Sequence, residues 1–160
     1  MINGYKEKTV RKKDKMKNPI KNNLVIELHV PDFGKVKDFY GKLGFVITMY
    51  DEPTDKEQGY MTMTRKDKAG DTMLNFYGSD ERVYTQSFFK QFPKDTPRGY
   101  EIEITIPVSD IDELYKQISI DLKDNIVRDI TVLKDHDLSW KDFRMADPFG
   151  FYLRPHTSIN

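Results

Sequence analysis

The chain has 160 residues, a mean hydropathy of −0.69 and no cysteine, and its 26 basic and 26 acidic residues cancel to zero net charge. That length buries a real core in one domain or two small repeats, while the missing thiols exclude disulfides, thiolate metal sites and cysteine nucleophiles and suit a cytoplasmic protein. No stretch approaches the roughly 18 apolar residues of a membrane span, the N-terminus lacks the apolar run of a secretory signal, and the neutral balance argues against a general nucleic-acid binder.

The neutrality is the sum of two unequal parts. Residues 1–22 hold eight lysines and arginines against Glu7 and Asp14, a surplus of six positive charges, and the rest of the chain carries the matching surplus of negative ones. A basic N-terminal extension over 1–22 therefore precedes an acidic body, and charge blocks of this kind are ordinarily solvated.

From Asn23 the pattern changes. Leu24, Ile26, Leu28 and Val30 alternate with Val25, Glu27 and His29, the period of a strand. Pro31-Asp32 stops it, and Val36, Phe39, Tyr40 and Leu43 then fall at helical spacing, with Gly44 suited to the helix end. Phe45 to Tyr50, Tyr60 to Thr64 and Thr72 to Tyr77 read as three further strands. The segment 79–98 is irregular and holds Phe88, Phe89 and Phe92 on a short helical turn before Pro93 and Pro97, which makes it a linker.

The order then repeats. Tyr100, Ile102, Ile104 and Ile106 alternate with Glu101, Glu103 and Thr105 as a strand, and Ile111, Leu114, Tyr115 and Ile118 form a helical face. Ile126 to Leu133 and Trp140 to Met145 are strand-like, Asp147-Pro148-Phe149-Gly150 is a turn, and Phe151 to Arg154 is the last strand. Val30-Pro31-Asp32-Phe33 is echoed by Val108-Ser109-Asp110-Ile111. The spacing predicts an α+β protein of two βαβββ repeats, residues 23–78 and 99–157, joined by the linker 79–98.

In each predicted sheet the apolar positions pack under the helix. The opposite face carries Glu27, His29, Asn75, Glu101, Glu103, Tyr152 and Arg154. Two such faces curling toward each other make a polar-lined cleft, whose carboxylates favour a neutral or cationic ligand except beside Arg154. Glu27 and His29 stand at i, i+2, a chelating spacing, although His29 at a strand end reads as a rim histidine. His136 and His156 read as loop and tail residues. A P-loop, a dinucleotide fingerprint and a nucleophile elbow are all absent.

Three motifs in order carry a resemblance: Val30-Pro31-Asp32, Phe39-Tyr40-Gly41-Lys42-Leu43-Gly44-Phe45, and the run from Phe143 through Asp147-Pro148-Phe149-Gly150 to Leu153. With the repeat, they make residues 23–157 resemble the vicinal oxygen chelate superfamily, which includes glyoxalase I, extradiol dioxygenases, and fosfomycin- and bleomycin-resistance proteins. The resemblance implies two curled mixed sheets, each forming a cleft, and a homodimer. Metal-using members place a ligand on the first and last strand of each half, and the corresponding residues here are Val25, Asn75, Glu103 and Arg154. Three of the four do not suit a divalent cation. The resemblance therefore implies the metal-free, bleomycin-resistance-like branch: no cofactor, and a small-molecule ligand held by Asn75, Glu103, Trp140, Tyr152 and Arg154, with Tyr60, Phe88 and Phe89 as further aromatic walls. The alternative is a metal-dependent lyase, transferase or dioxygenase with a divalent metal on the displaced set Glu27, His29 and Glu103.

Overall fold

A computed structural model describes residues 24–159, so the basic extension over 1–22 lies outside the described residues. The first half runs β1 (Ile26–Val30), α1 (Phe33–Lys42), β2 (Val46–Asp51), β3 (Gly59–Arg65) and β4 (Thr72–Gly78). The second runs β5 (Glu103–Pro107), α2 (Ile111–Asp121), β6 (Ile126–Asp135), β7 (Leu138–Ala146) and β8 (Tyr152–Ser158). Each half builds a four-stranded mixed sheet of the same topology, β1-β4-β3-β2 and β5-β8-β7-β6. The first strand of each half pairs in parallel with the last, and the other neighbours are antiparallel. The fold is thus α+β with two βαβββ repeats.

The repeat is enforced locally by the same chemistry twice. Asp32 caps α1, its carboxylate accepting the Lys35 N–H at 3.1 Å, and Asp110 caps α2 by accepting from the Glu113 N–H at 3.1 Å. Gly44, at φ +84°, turns the chain out of α1 into β2, which an L side chain at that φ would resist. Leu28, Val30, Leu74 and Phe76 point from the first sheet to the core, and Ile104, Ile106, Phe143, Met145 and Leu153 do so from the second. Together with Phe39 and Tyr40 of α1 and Ile118 of α2 they form one hydrophobic cluster spanning both halves. Three polar ties cross between the halves. The Tyr40 hydroxyl donates to Asp147 Oδ2 at 3.0 Å, Arg65 donates to the Pro107 carbonyl at 3.0 Å, and the Ser109 N–H donates to Asp67 Oδ1 at 2.8 Å, while Arg98 of the linker donates to the His29 carbonyl at 2.6 Å.

Some local expectations are corrected. β5 begins at Glu103, not Tyr100, because β5 has a single neighbour, β8, and β8 starts where Tyr152 faces Glu103. Upstream there is no partner strand, so residues 99–102 form a turn in which Glu101 takes φ 58°. Glu101 therefore does not stand on the sheet face. His156 is not a tail residue, since β8 continues to Ser158 and puts His156 opposite Asp142. His136 does sit in a loop, at φ 51° between β6 and β7. The linker region holds two short helical turns, Glu81–Thr85 and Phe89–Gln91, of which only the second was expected.

Candidate functional site

The face of the second sheet that points away from the core carries Glu103 from β5, Trp140, Asp142 and Arg144 from β7, and Tyr152, Arg154 and His156 from β8. This follows from the strand alternation, since Ile104, Phe143, Met145 and Leu153 between them are buried in the core. Asp142 is the hub and is fully buried. Its Oδ1 meets Arg128 at 2.5 Å and Arg144 at 2.9 Å, and its Oδ2 accepts from Arg154 Nε at 3.0 Å and from the Trp140 indole N–H at 3.1 Å. Glu103 closes the network: one carboxylate oxygen lies 3.2 Å from Arg154 and the other 3.0 Å from Arg144. The Arg154 guanidinium also lies 5.9 Å from the centroid of the Trp140 ring.

Two electrostatic consequences follow. Burial pushes the Asp142 carboxyl up, but hydrogen bonds from Arg144 and Arg128 outweigh that and hold it below the ordinary carboxylate range. Burial, and then the nearby Arg154 charge, press the His156 imidazole below its ordinary value, so it favours the neutral form. The network holds three guanidinium groups and two carboxylates. The local surplus is positive, in keeping with the exception expected beside Arg154.

The outer face of the first sheet is different in kind. Asn75 is nearly buried and accepts a hydrogen bond from the Thr62 hydroxyl at 2.9 Å. Thr48 and Thr64 pair at 3.2 Å beside it. His29 is not a rim histidine. Its ring lies 4.9 Å from that of Tyr77 and 4.8 Å from that of Phe89, and one ring nitrogen bonds Glu27 at 2.9 Å. Burial, and then the Glu27 charge, raise the Tyr60 hydroxyl above its ordinary pKa. Phe89 thus leans on this sheet through His29, Phe88 stacks against both Phe89 and Phe92, and all three rings stay exposed.

The structure therefore brings Glu103, Trp140 and Arg154 into one network and sets Tyr152 beside them, opposite Glu103 in the strand register. Asn75 belongs to the other sheet, at the position equivalent to Arg154. Sequence reasoning missed Asp142, Arg144 and Arg128. The signal was present in the alternation of Trp140, Asp142 and Arg144 against Phe143 and Met145 along one strand.

The donor set does not fit a divalent ion. Glu27 and His29 contribute two donors on one sheet, while both oxygens of Glu103, on the other, are held by arginines. Among the described residues no three His, Cys, Asp or Glu side chains gather as a metal site. Two clefts lie away from the Trp140 face. One of about 350 Å³ is lined by the end of α1, Arg65 and the first turns of α2, and one of about 400 Å³ lies between Lys35, Tyr84, residues 94–98 and the turn 148–150.

No protein-family model and no curated protein matches the chain. Solved structures do. A hypothetical protein of S. aureus superposes with a TM-score of 0.57 at 20% identity, covering 88% of this chain and 95% of that one. A glyoxalase family protein from Enterococcus faecalis gives 0.54 at 20% identity, covering 86% and 98%. A glyoxalase/bleomycin resistance protein/dioxygenase from Alicyclobacillus acidocaldarius gives 0.50 at 19% identity, covering 91% and 96%. The chain has the fold of the glyoxalase/bleomycin resistance/dioxygenase superfamily proteins. That fold hosts unlike chemistries, and what sets them apart is the residues of the site. Among the described residues no helix is long and apolar enough to cross a membrane.

Proposed function

We propose that the protein binds a small molecule on the outer face of its second sheet without a metal ion and breaks no bond, as a sequestering protein for an antibiotic or metabolite. The carrying observation is Arg154. It occupies the strand position where the resemblance puts a metal-binding carboxylate, and Asp142 and Glu103 fix its guanidinium from two sides. A fixed guanidinium beside the half-buried Trp140 suits a flat ligand bearing an acceptor or anionic group. Tyr152, half-buried on the same face, offers a hydroxyl. A second copy of the chain is proposed to wall this face, as the resemblance implies.

Trp140 is the only tryptophan, so its fluorescence reports the site directly. A screen of planar antibiotics and aromatic metabolites is expected to yield saturable changes in emission. Arg154→Ala should weaken the hits about tenfold or more, the range for losing a charge-assisted hydrogen bond. Elemental analysis of protein purified without chelator is the opposing measurement. Stoichiometric zinc, manganese, nickel or iron that is lost in Glu103→Ala would overturn the reading in favour of a metal-dependent enzyme.

A further inference from the structure

The cleft of about 400 Å³ between the halves has a chemistry that the Trp140 face does not explain. Three parts of the chain meet there: the first turn of α1 with Lys35, the segment carrying Tyr84 and residues 94–98, and the turn containing Phe149. Lys35, Lys94 and Arg98 line it, against the single carboxylate of Asp95.

Arg98 stands apart from the other described arginines. Arg65, Arg82, Arg128, Arg144 and Arg154 each have a carboxylate oxygen within 3.0 Å. Among the described residues Arg98 has none, yet its guanidinium is fixed, donating to the His29 carbonyl at 2.6 Å and lying 4.8 Å from the Tyr84 ring centroid. The Lys94 ammonium lies 5.0 Å from the same centroid, so two cations are gathered on one ring. Both cations line the same cleft, so an anion held there is attracted by each of them. Lys94 also meets Glu81 at 2.7 Å, but those side chains are 67% and 73% exposed, and a pair so wet holds Lys94 only weakly. Among the described residues Lys35 forms no ion pair. The cleft volume falls within the range of small-molecule sites.

We propose that this cleft is a second binding site, for a small ligand bearing a dianionic phosphomonoester group. Arg98 forms the preorganised fork, Lys94 and Lys35 supply the remaining charge, and the ligand's apolar part rests against Phe149. A dianion rather than a carboxylate is specified because Lys35, Lys94 and Arg98 line the cleft with Asp95 as its one lining acid, and Glu81, the exposed partner of Lys94, stands outside the lining.

The test uses the full chain at low ionic strength, where such attraction is least screened. Inorganic phosphate, phenyl phosphate and benzoate are titrated in turn, followed by amide NMR and calorimetry. Phosphate and phenyl phosphate are expected to bind saturably, phenyl phosphate the tighter, with shifts at Tyr84, residues 94–98 and Phe149. The exposed double variant Lys35→Ala, Lys94→Ala should weaken both about tenfold or more while melting like wild type. Arg98→Gln should also weaken both, and because it removes the bond to His29 as well, the lysine variant keeps the test clear of a folding defect. Arg154→Ala should leave this binding unchanged, so failure here and failure at the Trp140 face are read separately. The inference is overturned by no saturable binding at millimolar phosphate or phenyl phosphate, by binding that the lysine variant does not weaken, or by benzoate binding as tightly as phenyl phosphate.

Discussion

Asp142 shows how one buried charge organises a surface. A lone carboxylate in its position is expensive, and the arrangement stands because three guanidinium groups and an indole N–H converge on it. Replacing it with asparagine keeps the shape and removes the charge, leaving Arg128, Arg144 and Arg154 to face one another with Glu103 alone. Asp142→Asn is expected to cost about 3–5 kcal/mol at neutral pH, the range for breaking one side of a buried ionic cluster. The sign of its pH dependence is fixed by the depressed carboxyl. Stability from a lowered acid is fully present above the unfolded carboxyl value and is lost as pH falls through the folded one. Urea melts should therefore show the gap between wild type and Asp142→Asn full at neutral pH and narrowing below about pH 4. A gap that stays constant down to acid pH would show that Asp142 acts through shape and not charge.

At the scale of elements, the strands that the alternation revealed are those with a neighbour on each side or a strong apolar face. β3, with Met61 and Met63 inward, and β4, with Leu74 and Phe76, are examples. Periodicity reports which side chains share a face but not whether a partner strand exists. That is why Tyr100 and Ile102 looked like strand residues and yet stand 71% and 58% exposed in a turn. The site was legible to a similar depth. Glu103 and Arg154 could be placed from motif spacing. The alternation along β7 could place Asp142 on the same face, but not as the hub, because its partners come from the register between β7, β8 and β6. One position tests how tightly the elements close. Gly78 ends β4 at φ +124°, and a Cβ there would lie 2.3 Å from the Val30 carbonyl at the end of β1. Gly41 lies in α1 with nothing within 4 Å of the same added atom. Gly78→Ala is expected to destabilise by well over 1 kcal/mol, from strain plus the clash, whereas Gly41→Ala should stabilise by about 0.4–1 kcal/mol. Thermal midpoints moving in opposite directions confirm the closure, and equal shifts refute it.

At the scale of the whole molecule, the question is what the basic segment over 1–22 contributes to the acidic body. The described core runs from Leu28 to Leu153. The cross-ties at Tyr40–Asp147, Arg65–Pro107 and Ser109–Asp67 join the two halves from within the same span. Hydrophobic burial supplies most of the favourable free energy of folding, and a chain beginning at Asn23 keeps every described residue of that core. Its charge does change. Removing residues 1–22 takes away eight basic and two acidic side chains, so the neutral protein becomes one with a surplus of six negative charges. The shortened chain is expected to keep the thermal midpoint of the full one and to elute markedly later from an anion exchanger, with an isoelectric point well below 6.8. The two readings separate the segment's charge from any packing. A midpoint that falls with the truncation, and recovers when residues 1–22 are added back as a peptide, would show that those lysines dock on the acidic body and belong to its stability.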